Sequence, residues 1–145
     1  MSIFQQRAIT SHNSLSDQEF IYSFEECSIP LEAFNHEAHI RLAWLYFKNT
    51  ESFEKAIEKI IEGIKKFDAH YSSQTKYHHT ITIAFSKIIY SKMNHGTAVS
   101  WQSFLEENPS IYDFRKTISE YYSENHLNSS EAKTNFIDPD KKQLR

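Results

Sequence analysis

Phe34-Asn35-His36-Glu37-Ala38-His39-Ile40-Arg41-Leu42-Ala43-Trp44-Leu45-Tyr46-Phe47 decides the fold of this chain. Read as a helix, at about 100° per residue, it sets His36 and His39 about 60° apart on one face. Ile40, Ala43, Tyr46 and Phe47 share that face, and Leu42 and Leu45 fall on the other. A helix that is apolar nearly all round belongs in a core. Asn35 is a good N-cap for it, and Phe34 with Ile40 approximates a hydrophobic staple across its start. Glu37 and Arg41 stand at i,i+4 and are expected to pair on the helix surface. Two histidines opening a buried helix need partners, because an unpaired polar group in a core is costly. A metal, a carboxylate, a carbonyl or a bound ligand would each serve.

Upstream, Ser14-Leu15-Ser16-Asp17-Gln18-Glu19 offers N-caps ahead of Phe20, Ile21 and Phe24. This predicts a short helix from about Asp17 to Glu26, stopped before Pro30. Residues 1 to about 13 show no apolar periodicity and are expected to form a loose arm. Downstream, Phe53, Ile57, Ile60, Ile61, Ile64 and Phe67 recur at helical spacing from Glu51 to about His70. Glu54, Lys55, Glu58 and Lys59 mark the opposite face, so this helix buries one side only. Gly63 inside it costs about 1 kcal/mol relative to Ala.

After a connection at Tyr71 to Thr75, a helix is expected from about Lys76 to Met93. The run Thr80-Ile81-Thr82-Ile83 would suit a strand, but Ala84, Phe85, Ile88 and Ile89 continue at helical spacing. On that helix His78 falls in the apolar stripe near Phe85, and His79 turns about 100° away. A short helix opens at Ser100-Trp101 and ends before Pro109. Ser110 to Tyr122 reads as another, with Ile111, Phe114, Ile118 and Tyr121 inward. A last helical turn or two begins at Ser129, and the tail from Lys141 is polar.

Only 2 Gly and 3 Pro in 145 residues leave few tight turns and few helix breakers. The fold class is therefore all-α: a compact bundle of four main helices plus short C-terminal helices. Residues 14–140 form a single domain between an N-terminal arm, 1–13, and a tail, 141–145. A net charge of −3 gives no bulk attraction to nucleic acid or to an anionic membrane, so neither is an expected partner. No apolar run approaches a membrane span, the N-terminus has no apolar leader, and single Cys27 fits a reducing compartment. These features lead to a cytoplasmic protein. Glu25, Glu26 and Ser28 around Cys27 do nothing to activate its thiol.

Three stretches together resemble a family of small, helical bacterial proteins of uncharacterised function. They are His36-x-x-His39-Ile40-Arg41-Leu42-Ala43-Trp44, Tyr77-His78-His79-Thr80, and Tyr122-Ser123 followed by Pro139-Asp140. The family pattern is a His-x-x-His-Leu-Arg helix, a Tyr-His-Glu-Thr stretch and a Tyr-Ser…Pro-Asp segment; His79 stands here where that pattern has Glu. The resemblance carries no chemistry of its own. It implies that His36, His39, Tyr77, His78, Thr80, Tyr122 and Ser123 gather in one site.

His36 and His39, with His78 from a neighbouring helix, would give three imidazole ligands and an open coordination position. Such a set suits Zn, Fe, Cu or Ni without choosing among them. The stretch is one residue short of the His-Glu-x-x-His of zinc proteases. The same histidines could instead work without metal, as acid–base groups or ligand contacts, with Tyr77, Tyr46 or Tyr122 as proton donor and Ala43 leaving room. Catalytic candidates are thus His36, His39, His78 and Tyr77; ligand contacts are Ala43, Tyr46, Thr80, Tyr122 and Ser123. The function expected is a small enzyme or small-molecule-binding protein with a His-rich inter-helix site. A protein-interaction module with purely structural core histidines is the remaining reading.

Overall fold

The computed structural model describes residues 9–71 and 77–144. Residues 72–76, most of the expected connection and the expected start of the next helix, lie outside them, as do residues 1–8 of the expected arm. Among the described residues the chain is all-helical, with eight α-helices and no strand. Five of these helices reach seven residues or more, one beyond the expected four, because Trp101–Glu107 is as much an element as the others.

In chain order they are α1 (Asp17–Glu25), α2 (His36–Asn49), α3 (Phe53–His70), α4 (His79–Asn94), α5 (Trp101–Glu107), α6 (Phe114–Ser119), α7 (Glu124–Leu127) and α8 (Ser130–Thr134). The three long helices α2, α3 and α4 pack on one another. Helix α1 lies against α2 and α3, α5 against α2, and α6 and α8 against α4.

Local chemistry sets most boundaries. Ser16 caps α1 through a reciprocal capping box with Glu19. Asn35 caps α2 by accepting from the Ala38 N–H at 2.9 Å. Ser52, Ser100, Asp113, Ser123 and Ser129 do the same for α3, α5, α6, α7 and α8. Helix α1 ends with Cys27 in the left-handed region, φ 57°, while the Ser28 N–H reaches back to the Ser23 carbonyl at 2.8 Å.

Every residue of α2 from Ile40 to Phe47 is buried, whereas α3 buries only Ala56, Ile60, Ile64 and Phe67, one side of the helix. Gly63 has a packing reason. A Cβ there would lie 2.5 Å from the Phe24 ring, so α1 approaches α3 as closely as it does only because the side chain is missing.

Three expectations are corrected. First, the irregular arm does not extend to residue 13. His12–Ser14 form a 3-10 turn and His12 is fully buried, its ring 5.7 Å from Phe20 and 5.3 Å from Trp101. Second, the expected Ser110 to Tyr122 helix is broken at Asp113, whose carboxylate caps α6 after a 3-10 turn, Pro109–Tyr112. The polar tail is tied down at its start, where Lys141 Nζ donates to the Ser119 carbonyl at 2.6 Å.

Third, Glu37 and Arg41 do not form a pair. Arg41 is 2% exposed and turns inward, donating to the carbonyls of His12 (2.7 Å) and Leu15 (2.8 Å) and to Asp17 Oδ1 (2.8 Å). Its guanidinium lies over the rings of Phe20 and Trp101. Glu37 turns the other way, accepting from His12 Nε2 at 2.8 Å and from the Tyr112 hydroxyl at 3.1 Å. The buried His12 takes the position between them that a surface pair would leave empty.

Candidate functional site

Helices α2, α3 and α4 do not close completely on one another. Between them lies a cavity of about 440 Å³. Helix α2 contributes His36, His39, Ile40 and Ala43; α3 contributes Ile60, Ile64 and Asp68; α4 contributes Ile81, Thr82, Phe85, Ser86 and Ile89. Phe34 and Asn35 precede α2 on the wall, Tyr77 and His78 precede α4, and Phe114 covers it from α6. The walls are mostly apolar, with a small number of polar groups among them, the make-up of a small-molecule site.

The imidazoles are held by backbone carbonyls. His36 Nε2 donates to the Ile111 carbonyl at 3.0 Å, and its ring lies 5.2 Å from Phe85 and 5.3 Å from Phe114. His39 Nδ1 donates to the Asn35 carbonyl at 2.8 Å, and its ring lies 4.1 Å from Phe34. A carbonyl only accepts, so each of these nitrogens carries the hydrogen. In the neutral ring, His36 Nδ1 and His39 Nε2 are left as lone-pair nitrogens, and among the described residues neither has a protein partner.

His39 is exposed by accessible area yet crowded by protein atoms, the combination expected of a ring on a cavity wall. That crowding lowers its pKa; the Asn35 carbonyl bond offsets part of the shift and neighbouring His36 adds to it.

His78 sits on the same wall, but not as the expected helix residue. It is the N-cap of α4, extended at φ −131°, and its Nδ1 accepts from the Ile81 N–H at 3.1 Å. Its Nε2 donates to the Leu127 carbonyl at 2.9 Å. Both nitrogens are spent, so His78 has no lone pair for an ion. Among the described residues no group of three or more His, Cys, Asp or Glu side chains is placed to hold a metal. Of the three imidazoles expected to share a metal, His36 and His39 each keep a lone pair in this arrangement and His78 does not.

Tyr77 lies on the cavity wall and shares a 2.7 Å hydrogen bond with His79 Nδ1. Burial raises its phenol to about 12; the Thr82 hydroxyl offsets part of this and the Asp68 carboxylate adds to it. His79 is outside the cavity lining, and its own pKa is lowered by burial first and by Lys65 and His78 after it.

The structure separates the other candidates from this cavity. Ala43 is on the wall, and Tyr46, Thr80, Tyr122 and Ser123 are not. Tyr46 donates to Glu25 Oε2 at 2.7 Å, and burial, with that bond, raises its phenol far above the usual tyrosine range. The Thr80 hydroxyl donates to the Asn135 carbonyl at 2.7 Å and accepts from the Ile137 N–H at 3.2 Å. The Tyr122 hydroxyl donates to the Ile137 carbonyl at 2.7 Å, and the Ser123 hydroxyl to Asp140 Oδ2 at 2.6 Å. These three fasten the C-terminal segment across α4. The motif residues thus form two groups, one lining the cavity and one binding the chain end.

Four polar wall residues, Asn35, Asp68, Thr82 and Ser86, are not among the site candidates the sequence offers. Thr82 and Ser86 stand four and eight residues after His78, a spacing that puts them in one stripe of α4. The Thr82 hydroxyl donates to the His78 carbonyl at 2.9 Å. Ser86 is buried on that wall, 4% exposed. No protein-family model, curated protein or solved structure matches this chain.

Proposed function

We propose that this chain is a small-molecule-binding protein. Its ligand occupies the cavity between α2, α3 and α4, and His36 and His39 meet the ligand's polar group. The supporting observation is the pair of imidazole nitrogens left as lone pairs on the wall of a mostly apolar cavity of about 440 Å³. Burial favours the neutral form of His39, so this ring suits the role of proton acceptor towards a bound molecule. An acid–base reaction and simple binding both start from that contact.

The test uses isotope-labelled isoleucine methyls. Ile40, Ile60, Ile64, Ile81 and Ile89 line the cavity, while Ile118 and Ile137 belong to a separate cluster under the C-terminal segment. Ethylbenzene should shift the first set and leave the second unmoved. Ala43→Phe, which fills the space, should remove the response while the helical circular dichroism persists. Shifts spread evenly over both sets, or none at all, would refute the cavity as a binding site. Metal analysis of protein purified without a histidine tag goes alongside; a stoichiometric transition metal would move the reading to a metal centre on His36 and His39.

A further inference from the structure

The cavity runs along the helix axes. Its α2 wall extends from His36 to Ala43 and its α3 wall from Ile60 to Asp68. At 1.5 Å of rise per residue these stripes are about 10–12 Å long. Helices α2 and α4 begin at one end of the cavity, where α3 finishes. That end carries Asn35, His36, His39, Tyr77 and His78. Farther along, the wall is Ile40, Ala43, Ile60, Phe85 and Ile89, with Ser86 among them. One turn beyond Ala43, on the same stripe of α2, stands Phe47. Its ring lies 5.5 Å from Phe53 at the start of α3 and 5.0 Å from Tyr90 near the end of α4, and those two lie 4.8 Å apart. At such spacings aromatic rings are in packing contact. None of the three lines this cavity, and all three line a second one of about 310 Å³. The rings therefore stand between the two spaces as a plug.

We propose that the ligand is a medium-chain aliphatic molecule whose polar head lies at His36 and His39 and whose chain runs along the helices to the plug of Phe47, Phe53 and Tyr90, which limits its length. This rests on the cavity reading above and adds the substrate class and a length limit. An extended, staggered chain of roughly eight carbons covers the length of the wall. The body of the ligand meets chiefly isoleucines, because the lining rings are already engaged, Phe34 on His39 and Phe85 stacked on Phe114. The gradient along the wall fixes the orientation. A head turned the other way would be buried against Ala43, Ile60 and Ile89, where a polar group is costly. Each methylene set among the isoleucines leaves water and tightens binding about fourfold. A chain that has reached the plug has no more wall to cover. Further carbons must fold back or push the head away from the histidines, and the gain stops. Ala43 and Phe47, one turn apart, are thus the residues that set the length.

Straight-chain 1-alkanols from butanol to dodecanol test this, titrated against the full chain by calorimetry and by the labelled isoleucine methyls. Affinity should rise about fourfold per carbon up to roughly eight carbons and then level off or fall. In the octanol complex, nuclear Overhauser contacts should join the terminal methyl of the chain to Ile60 and Ile89. Ala43→Leu should move the limit down by about two carbons, and Phe47→Ala should move it up by about four, the length of one helical turn. Phe47→Ala removes a core ring; if it does not fold, the unaltered protein and Ala43→Leu decide the matter together. Three results would overturn the length limit while the cavity reading stands. They are an affinity that keeps rising through dodecanol in the unaltered protein, a limit that a folded variant leaves in place, and a terminal methyl that contacts His36 and His39 instead. No response of the cavity isoleucines to any alkanol overturns both.

Discussion

Arg41 is the residue most tightly built into this molecule. Its guanidinium gives hydrogen bonds to two carbonyls and a carboxylate and covers two aromatic rings. The planar fork of arginine fits that set and the ammonium of lysine does not. Arg41→Met would leave the His12 and Leu15 carbonyls without their donor in a buried place. The expected loss is roughly 3 kcal/mol, from the usual cost of stranded buried acceptors, and Arg41→Lys should recover little of it. Urea denaturation of both variants checks this; a loss below about 0.5 kcal/mol would show Arg41 to be an ordinary surface charge.

The sequence places Arg41 on the right helix and gives it the wrong partner, because the i,i+4 rule sees only the helix itself. His12 and Leu15 lie 29 and 26 residues upstream, in a stretch without periodicity. His78 was misplaced for a different reason. Histidine is not among the usual N-cap residues, so nothing in the spacing separates an imidazole that caps a helix from one that belongs to its apolar stripe. Its position on the cavity wall follows all the same, since a cap and a first-turn residue lie close together.

At the scale of elements, α3 was legible but for its first two residues and the buried Ala56. Its apolar positions recur at one helical spacing and its burial is one-sided. What the spacing leaves out is why Gly63 is there. Helix propensity alone would favour Ala by about 1 kcal/mol. The Phe24 ring, 2.5 Å from the missing Cβ, opposes it. Overpacking of a filled contact costs about 1–3 kcal/mol, so Gly63→Ala should destabilise by roughly 1 kcal/mol net. The sign should reverse in a Phe24→Leu background, where the ring is gone and only the propensity gain remains. A double-mutant cycle by chemical denaturation measures this coupling, and additivity of the two changes would show that α1 and α3 do not interlock at that point. The all-helical class was legible too, from the shortage of Gly and Pro. The Asp113 break was not, because Ile111, Phe114 and Ile118 keep a helical rhythm across it.

Over the whole molecule, three histidines have pKa values lowered by folding. His12 is fully covered, although near the surface, since its partner Glu37 is partly exposed. Burial lowers it most, Glu37 opposes the shift through both its hydrogen bond and its charge, and Arg41 adds to it. Burial is also the leading cause at His39 and His79. A histidine whose folded pKa lies below 6.5 binds its proton more readily in the unfolded chain. Its contribution is therefore fully present above about pH 6.5 and lost as the pH falls through the lowered folded value. Unfolding free energy from urea titrations should decline steadily below about pH 6.5, with a shallower slope in His12→Gln. A flat profile between pH 7.5 and pH 5 would contradict the lowered pKa values of these rings.

Three of the imidazoles, those of His12, His36 and His78, also impose an order in time. A chain leaves the ribosome from its N-terminus at about 5–20 residues per second. His12 is made early, but the Trp101 ring beside it comes much later. His36 waits for the Ile111 carbonyl, and His78 for the carbonyl of Leu127. Each ring is closed by a segment synthesised well after it. Phe114 lies 20 residues beyond Asn94, the end of α4, so at that rate the three long helices are synthesised about 1–4 s before the residue that covers the cavity. A chaperone, or a ligand already in the cell, has that interval in which to reach the cavity wall.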